Sequence, residues 1–219
     1  MTFRTLIVCL IIGTFTAFQA CREDFDYDQL SKEIILSTDT ISVDTVYNHS
    51  KSETYVLKLY NPDDKDLLIP KISLAKGNTS YFSINVDGQA GSEFLNVPIR
   101  KNDSLFVFIE IDAKEAPLNP LYEDAILIES NQHQQQVRLL SWIEKAQIHT
   151  GNSTISSANW NSNEAQVIEG NLNVTGNLTI NPGSKIYFKR GASLTIDNNA
   201  TFNVNGTLGN EVKFRSTRH

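Results

Sequence analysis

Cysteine is nearly absent from these 219 residues: there are two, Cys9 and Cys21, both at the start of the chain. No disulfide framework and no cysteine metal site can therefore exist in the body of the protein. Histidine is equally sparse, and His49, His133, His149 and His219 are too scattered for ligand spacing. Basic residues are in deficit, 19 Lys and Arg against 25 Asp and Glu, a net charge of −6. That balance argues against nucleic acid as a partner. Long helical periodicity is missing, and so are the Gly-x-Ser-x-Gly elbow, the phosphate loop and the dinucleotide fingerprint. No cofactor or metal is implied. What remains is Leu, Ile, Val and Phe punctuated by Gly, Asn, Ser and Thr, the composition of an all-β chain of one or two domains.

The clearest organisation lies between Val167 and Phe214. Apolar-polar-apolar triplets recur there, separated by Gly or Asn: Leu172-Asn173-Val174, Leu178-Thr179-Ile180, Ile186-Tyr187-Phe188, Leu194-Thr195-Ile196, Phe202-Asn203-Val204 and Val212-Lys213-Phe214. Alternation marks short strands and the small residues mark corners. Three triplets make one coil, with Leu172 equivalent to Leu194, Leu178 to Phe202 and Ile186 to Val212. This spacing predicts two coils of a parallel β-helix over residues 165–219, outer triplet residues stacking inward at about 4.8 Å per rung. The pattern stops after Phe214 with no covering element, so the expectation is that further coils follow, that a partner covers this end, or that it packs back on the preceding module.

Residues 33–145 read as short strands separated by turn chemistry at Asn61-Pro62-Asp63-Asp64, Asp87-Gly88 and Asn119-Pro120. Seven to nine strands over about 110 residues predict an immunoglobulin-like β-sandwich. Phe106 and Phe108 alternate with Val107 and Ile109, which predicts a central strand apolar on both faces. Gln132 to Gln136 reads as a hairpin tip. Residues 146–164 are polar and read as a linker without a core. Trp160 is its one large apolar group, placed either to cap the first coil or to stack on a sugar.

The N-terminus reads as an address. Residues 1–20 carry Arg4, an apolar run and no acid, the pattern of a signal peptide. Ala17-Phe18-Gln19-Ala20-Cys21 resembles the lipobox of bacterial lipoproteins, which implies cleavage before Cys21 and its acylation. Glu23, Asp24, Asp26 and Asp28 resemble the acidic signal that carries some lipoproteins to the outer face of the outer membrane, within a tether over residues 21–32. Thr40, Thr45 and Ser104 each sit in an Asp-(Ser/Thr)-aliphatic triplet that resembles a bacterial O-glycosylation sequon. The string Leu57 to Leu67 resembles the strand-Asn-turn-strand of immunoglobulin-like modules in surface proteins.

These features together resemble bacterial surface lipoproteins with an immunoglobulin-like module and right-handed parallel β-helix repeats, a family of undefined function. The resemblance implies a lipid-anchored envelope protein in contact with polysaccharide or another envelope protein. Two functions stand side by side: a non-catalytic adhesion or scaffold module, and a polysaccharide lyase or hydrolase whose catalytic coils lie beyond this sequence. In the coil region Glu169, Asp197 and Glu211 occupy no equivalent triplet positions, so no paired-carboxylate site can be drawn.

Overall fold

The computed structural model describes residues 26–217, so Cys21, Glu23 and Asp24 lie outside the described residues. It is all-β, and a single 3₁₀ turn at Gly77–Thr79 is the sole helical element among the described residues. Twelve strands come first: β1 (Asp28–Gln29), β2 (Ile35–Leu36), β3 (Thr40–Tyr47), β4 (Ser50–Lys51), β5 (Tyr55–Tyr60) and β6 (Leu67–Leu74), then β7 (Phe82–Val86), β8 (Gln89–Gly91), β9 (Glu93–Ile99), β10 (Ser104–Ala113), β11 (Leu121–Glu129) and β12 (Gln134–Glu144). They form two sheets. One runs β1-β6-β11-β12-β3 with β9 also on β6; the other runs β2-β5-β10-β7-β8 with β4 beside β10.

Both sheets close on one apolar core, because every second residue of each long strand is apolar and points the same way. Leu57 and Leu59 of β5, Val107 and Ile109 of β10, and Val137 and Leu139 of β12 are all fully enclosed. The turn after β5 is pinned by Asn61. Its buried side chain donates to the carbonyls of Lys65 (2.9 Å) and Arg100 (3.0 Å) and accepts from the Asp63 N–H (3.0 Å). Strand β10 does lie between β5 and β7. Its second face, though, stays open, and Phe106 and Phe108 are exposed there beside Val56. Two-sided apolarity marked a central position in the sheet, not a covering layer.

The chain then passes through Lys145 into ten short strands: β13 (Ala146–Thr150), β14 (Ser153–Ile155), β15 (Ala158–Trp160), β16 (Ala165–Glu169), β17 (Asn171–Val174), β18 (Asn177–Ile180), β19 (Lys185–Phe188), β20 (Ser193–Ile196), β21 (Thr201–Val204) and β22 (Lys213–Ser216). They stack in three parallel sheets, β13-β16-β19-β22, β14-β17-β20 and β15-β18-β21. Each turn of chain contributes one strand to each sheet, which makes a three-sided coil. Leu172 pairs with Leu194 and Leu178 with Phe202, as the triplet spacing predicts. Corners are tight. A Cβ on Gly176 would fall 1.8 Å from the Ser156 carbonyl oxygen of the preceding turn, so only glycine passes there. Asn171 and Asn181 extend the stacking at the corners, donating to Asn152 (3.0 Å) and Asn161 (2.8 Å) one turn below.

Four expectations need correction. Residues 146–164 are not a coreless linker; they are the first turn of the coil, with β13, β14 and β15 paired to β16, β17 and β18. The apolar pattern is hidden because this turn places His149 inward, where it and Gln166 of the next turn satisfy each other across 2.8 Å. There are accordingly three turns and a fourth strand, not two coils. On the last strand Ile186 pairs with Phe214, not Val212, so Arg215 stands opposite Tyr187 and Lys213, still outward, opposite Lys185. The two-residue slip arises because the corner Asn205–Glu211 is long and alternation alone cannot count it. Finally, the acidic tether ends before residue 28. Asp28 and Gln29 pair with Leu67 and Leu68, and Leu30 is buried in the core.

Candidate functional site

Strand β12 runs parallel to β3, Ser141 opposite Val43 and Ile143 opposite Val46. Between these pairs one residue, Trp142, faces two, Asp44 and Thr45. This is a β-bulge, and bulges re-aim side chains. Asp44 and Thr45 consequently both point to solvent, and the Trp142 side chain stands 53% exposed. The Asp44 N–H donates to the Tyr55 hydroxyl (3.0 Å), which fixes that ring beside the bulge.

Two residues further on, Tyr47 is opposite Glu144, and here the coil docks against the two-sheet unit. The outward residues of the first coil sheet are apolar at its start. Ala146, Ala165 and Val167 are buried, with Ile148, Tyr47 and Tyr187 packed around them. The middle residues of this side thus meet protein and not water. The Tyr47 and Tyr187 rings lie 5.5 Å apart, tilted by 49°. The Glu144 carboxylate accepts from the Lys185 ammonium and from the Tyr187 hydroxyl, the latter at 3.3 Å. The Ala146 N–H donates to the Asn48 side chain (2.6 Å).

Electrostatics at this junction are coupled. Burial raises the Tyr47 hydroxyl pKa well above its ordinary value, and the charges of Tyr187 and Glu144 add to the effect. Tyr187 is raised in the same way, by burial first and then by Glu144. Lys185 is raised chiefly by its hydrogen bond to Glu144.

Around these contacts a groove of about 1560 Å³ opens between the sheet edge and the coil. Trp142, Tyr47 and Tyr55 line one wall with Asp44 and Glu53; Lys185, Tyr187, Lys189, Arg190 and Arg215 line the other. The aromatic rings supply flat apolar faces with polar edges, and the charged groups supply directed hydrogen bonds. Among the described residues no group of His, Cys, Asp and Glu could hold a metal ion.

The structure places the residues singled out in the sequence far apart. Thr40 and Ser104 begin β3 and β10, and Thr45 stands in the bulge at the groove. Asp28 pairs with Lys65 at 2.8 Å, and Asp26 lies in the stretch just before it. Trp160 is 3% exposed, so its ring cannot stack on a sugar. It lies inside the first turn of the coil, below Ile180 and 5.8 Å from the His149 ring. The groove residues were missed. Trp142 and Tyr47 read as ordinary strand positions, and only the apolar outward pair Ile148 and Val167 signalled that this coil side is covered.

No family model and no curated protein matches this sequence. Solved structures align over part of it. The E. coli chaperone DraB is 11% identical with a TM-score of 0.36, over 54% of this chain and 57% of that one. A protein of unknown function from Porphyromonas gingivalis W83 is 8% identical with a TM-score of 0.35, over 57% and 59%. A family 123 glycoside hydrolase from Clostridium perfringens is 9% identical with a TM-score of 0.33, over 52% and 26%. This chain thus spans less than two thirds of each, and likeness at this level carries no argument about activity.

Proposed function

We propose that this chain is a lipid-anchored protein of the cell envelope, exposed on the outer membrane, that contacts glycan. In this reading the two-sheet unit is an immunoglobulin-like sandwich and the coil is a right-handed parallel β-helix. The observation that carries the binding function is the junction groove. Its volume of about 1560 Å³ exceeds the roughly 300–1000 Å³ of pockets that enclose a small molecule, which favours an extended chain as ligand. Trp142, Tyr47, Tyr55 and Tyr187 would meet the C–H faces of sugar rings, while Asp44, Glu53 and Thr45 would meet hydroxyls. Lipid anchorage rests on Ala20-Cys21 at the end of the apolar run, and surface display on the acids that follow.

A glycan array probed with the full chain tests the binding. Retention of one or more polysaccharides is expected, with at least tenfold weaker signal for Trp142→Ala. An array that stays blank, or binding indifferent to Trp142, would remove the groove from the account.

A further inference from the structure

The coil is electrically lopsided. All five Lys and Arg of residues 165–217 (Lys185, Lys189, Arg190, Lys213 and Arg215) fall on β19, on β22 or just after β19. The other two sides carry no cation at all, within a chain whose net charge is −6. Two of the five are neutralised locally, Lys185 by Glu144 and Lys189 by Glu169. Arg190 and Arg215 line the groove and form no ion pair among the described residues. Lys51 and Lys145 also line it, and they pair outward with Asp112 (3.8 Å) and Glu164 (3.5 Å). Arg215 stands opposite Tyr187 in the strand register and opposes protonation of Lys185. The coil wall of the groove therefore keeps two guanidiniums outside its ion pairs, and the facing wall keeps Asp44 and Glu53.

Resting on the glycan reading above, we infer that the ligand is an acidic polysaccharide, its carboxylates or sulfates held by Arg190 and Arg215 on the coil wall. A guanidinium presents a planar fork that matches such groups bidentately. The opposite wall carries Asp44 and Glu53, so the groove suits a chain that alternates acid groups with hydroxyls. A polymer with a phosphate on every unit, or an anionic membrane, would press negative charge against those carboxylates. A sugar that bears one acid group among several hydroxyls leaves O–H donors for Asp44 and Glu53.

The test titrates the full chain, following fluorescence of the groove-lining Trp142, with polygalacturonate, chondroitin sulfate, fully methyl-esterified polygalacturonate and neutral dextran. An acidic polymer is expected to bind, more weakly as salt rises, and esterification is expected to remove at least tenfold of the affinity. Arg190→Gln and Arg215→Gln should each weaken binding roughly tenfold. Both side chains are exposed, so the fold is not at stake. Lys101→Gln, on a loop away from the groove, should bind as the parent does.

Equal binding of the acid and the ester, unchanged in the arginine variants, would overturn the charge inference and leave the glycan reading standing. Binding of none of the four would overturn both. Duplex DNA or phosphatidylglycerol vesicles held as tightly as the best saccharide would overturn the assignment to saccharide.

Discussion

The two-sheet unit and the coil are both all-β, yet they hold together in different ways. In the first, pairing reaches across the chain: Ser141 donates to the Asp44 carbonyl 97 residues away, and β1 joins β6. One apolar cluster serves both sheets, so each buried residue depends on strands far apart in sequence. In the coil each residue meets its counterpart one turn on, as Ile155 meets Val174 and Val174 meets Ile196. Burial there is a gradient along ladders: Trp160 is 3% exposed, Ile180 0% and Val204 43%. Collective packing makes stability a property of the whole unit, whereas stacking makes it a sum of neighbour terms.

The contrast breaks most visibly at Ile109, enclosed at the centre of the shared core. Ile109→Ala is expected to cost about 4 kcal/mol and to lower the denaturation midpoint of the whole two-sheet unit as one transition. Hydrogen exchange should keep protection in β17 and β18, and loss of protection there would mean the two parts fold as one.

A smaller effect sharpens the ladder side. Ile180→Ala should cost about 3 kcal/mol and speed exchange in the turns next to it only. Val204→Ala, at the equivalent position with its side chain nearly half exposed, should cost under about 1 kcal/mol. Equal costs in chemical denaturation would refute the gradient.

The smallest effect is electrostatic and tests the seam between the two. Lys185, Tyr47 and Tyr187 all keep their protons to higher pH in the folded chain than in a free peptide. A raised folded pKa adds stability that is complete below the unfolded value and lost as pH climbs through the folded one. The junction should therefore loosen above pH 10, the ordinary tyrosine value. Glu144→Gln should flatten that alkaline loss in a tyrosine absorbance titration. At neutral pH it should change stability by less than about 1 kcal/mol, since the Lys185–Glu144 pair is partly exposed.

Much of the fold is written locally. Alternation from Phe106 to Ile109 marked a strand that lies within Ser104–Ala113, and the turn at Asn61 was legible because an Asn-Pro-Asp string favours a turn. The first coil was not legible, because its interior is partly polar and only the pairing of His149 with Gln166 makes that tolerable. The candidate site was least legible of all. It depends on a bulge at Asp44-Thr45 and on which side of a coil meets the sheet edge, and neither follows from a period. Tyr187 carried no sign that Tyr47, 140 positions earlier, would be its neighbour.

The parallel pairing of β3 with β12 has a mechanical consequence. Thr40 and Arg138 form one end of that ladder and Tyr47 with Glu144 the other, and Lys145 alone separates β12 from the coil. Once the two-residue strands β1 and β2 have parted from β6 and β5, tension between the N-terminal end and the coil draws β3 by its first residue and β12 by its last. The pull runs along both strands in opposite senses, so the ladder hydrogen bonds are strained together in shear instead of peeling one by one. With only a single residue between β12 and the coil, that tension enters the sheet without slack.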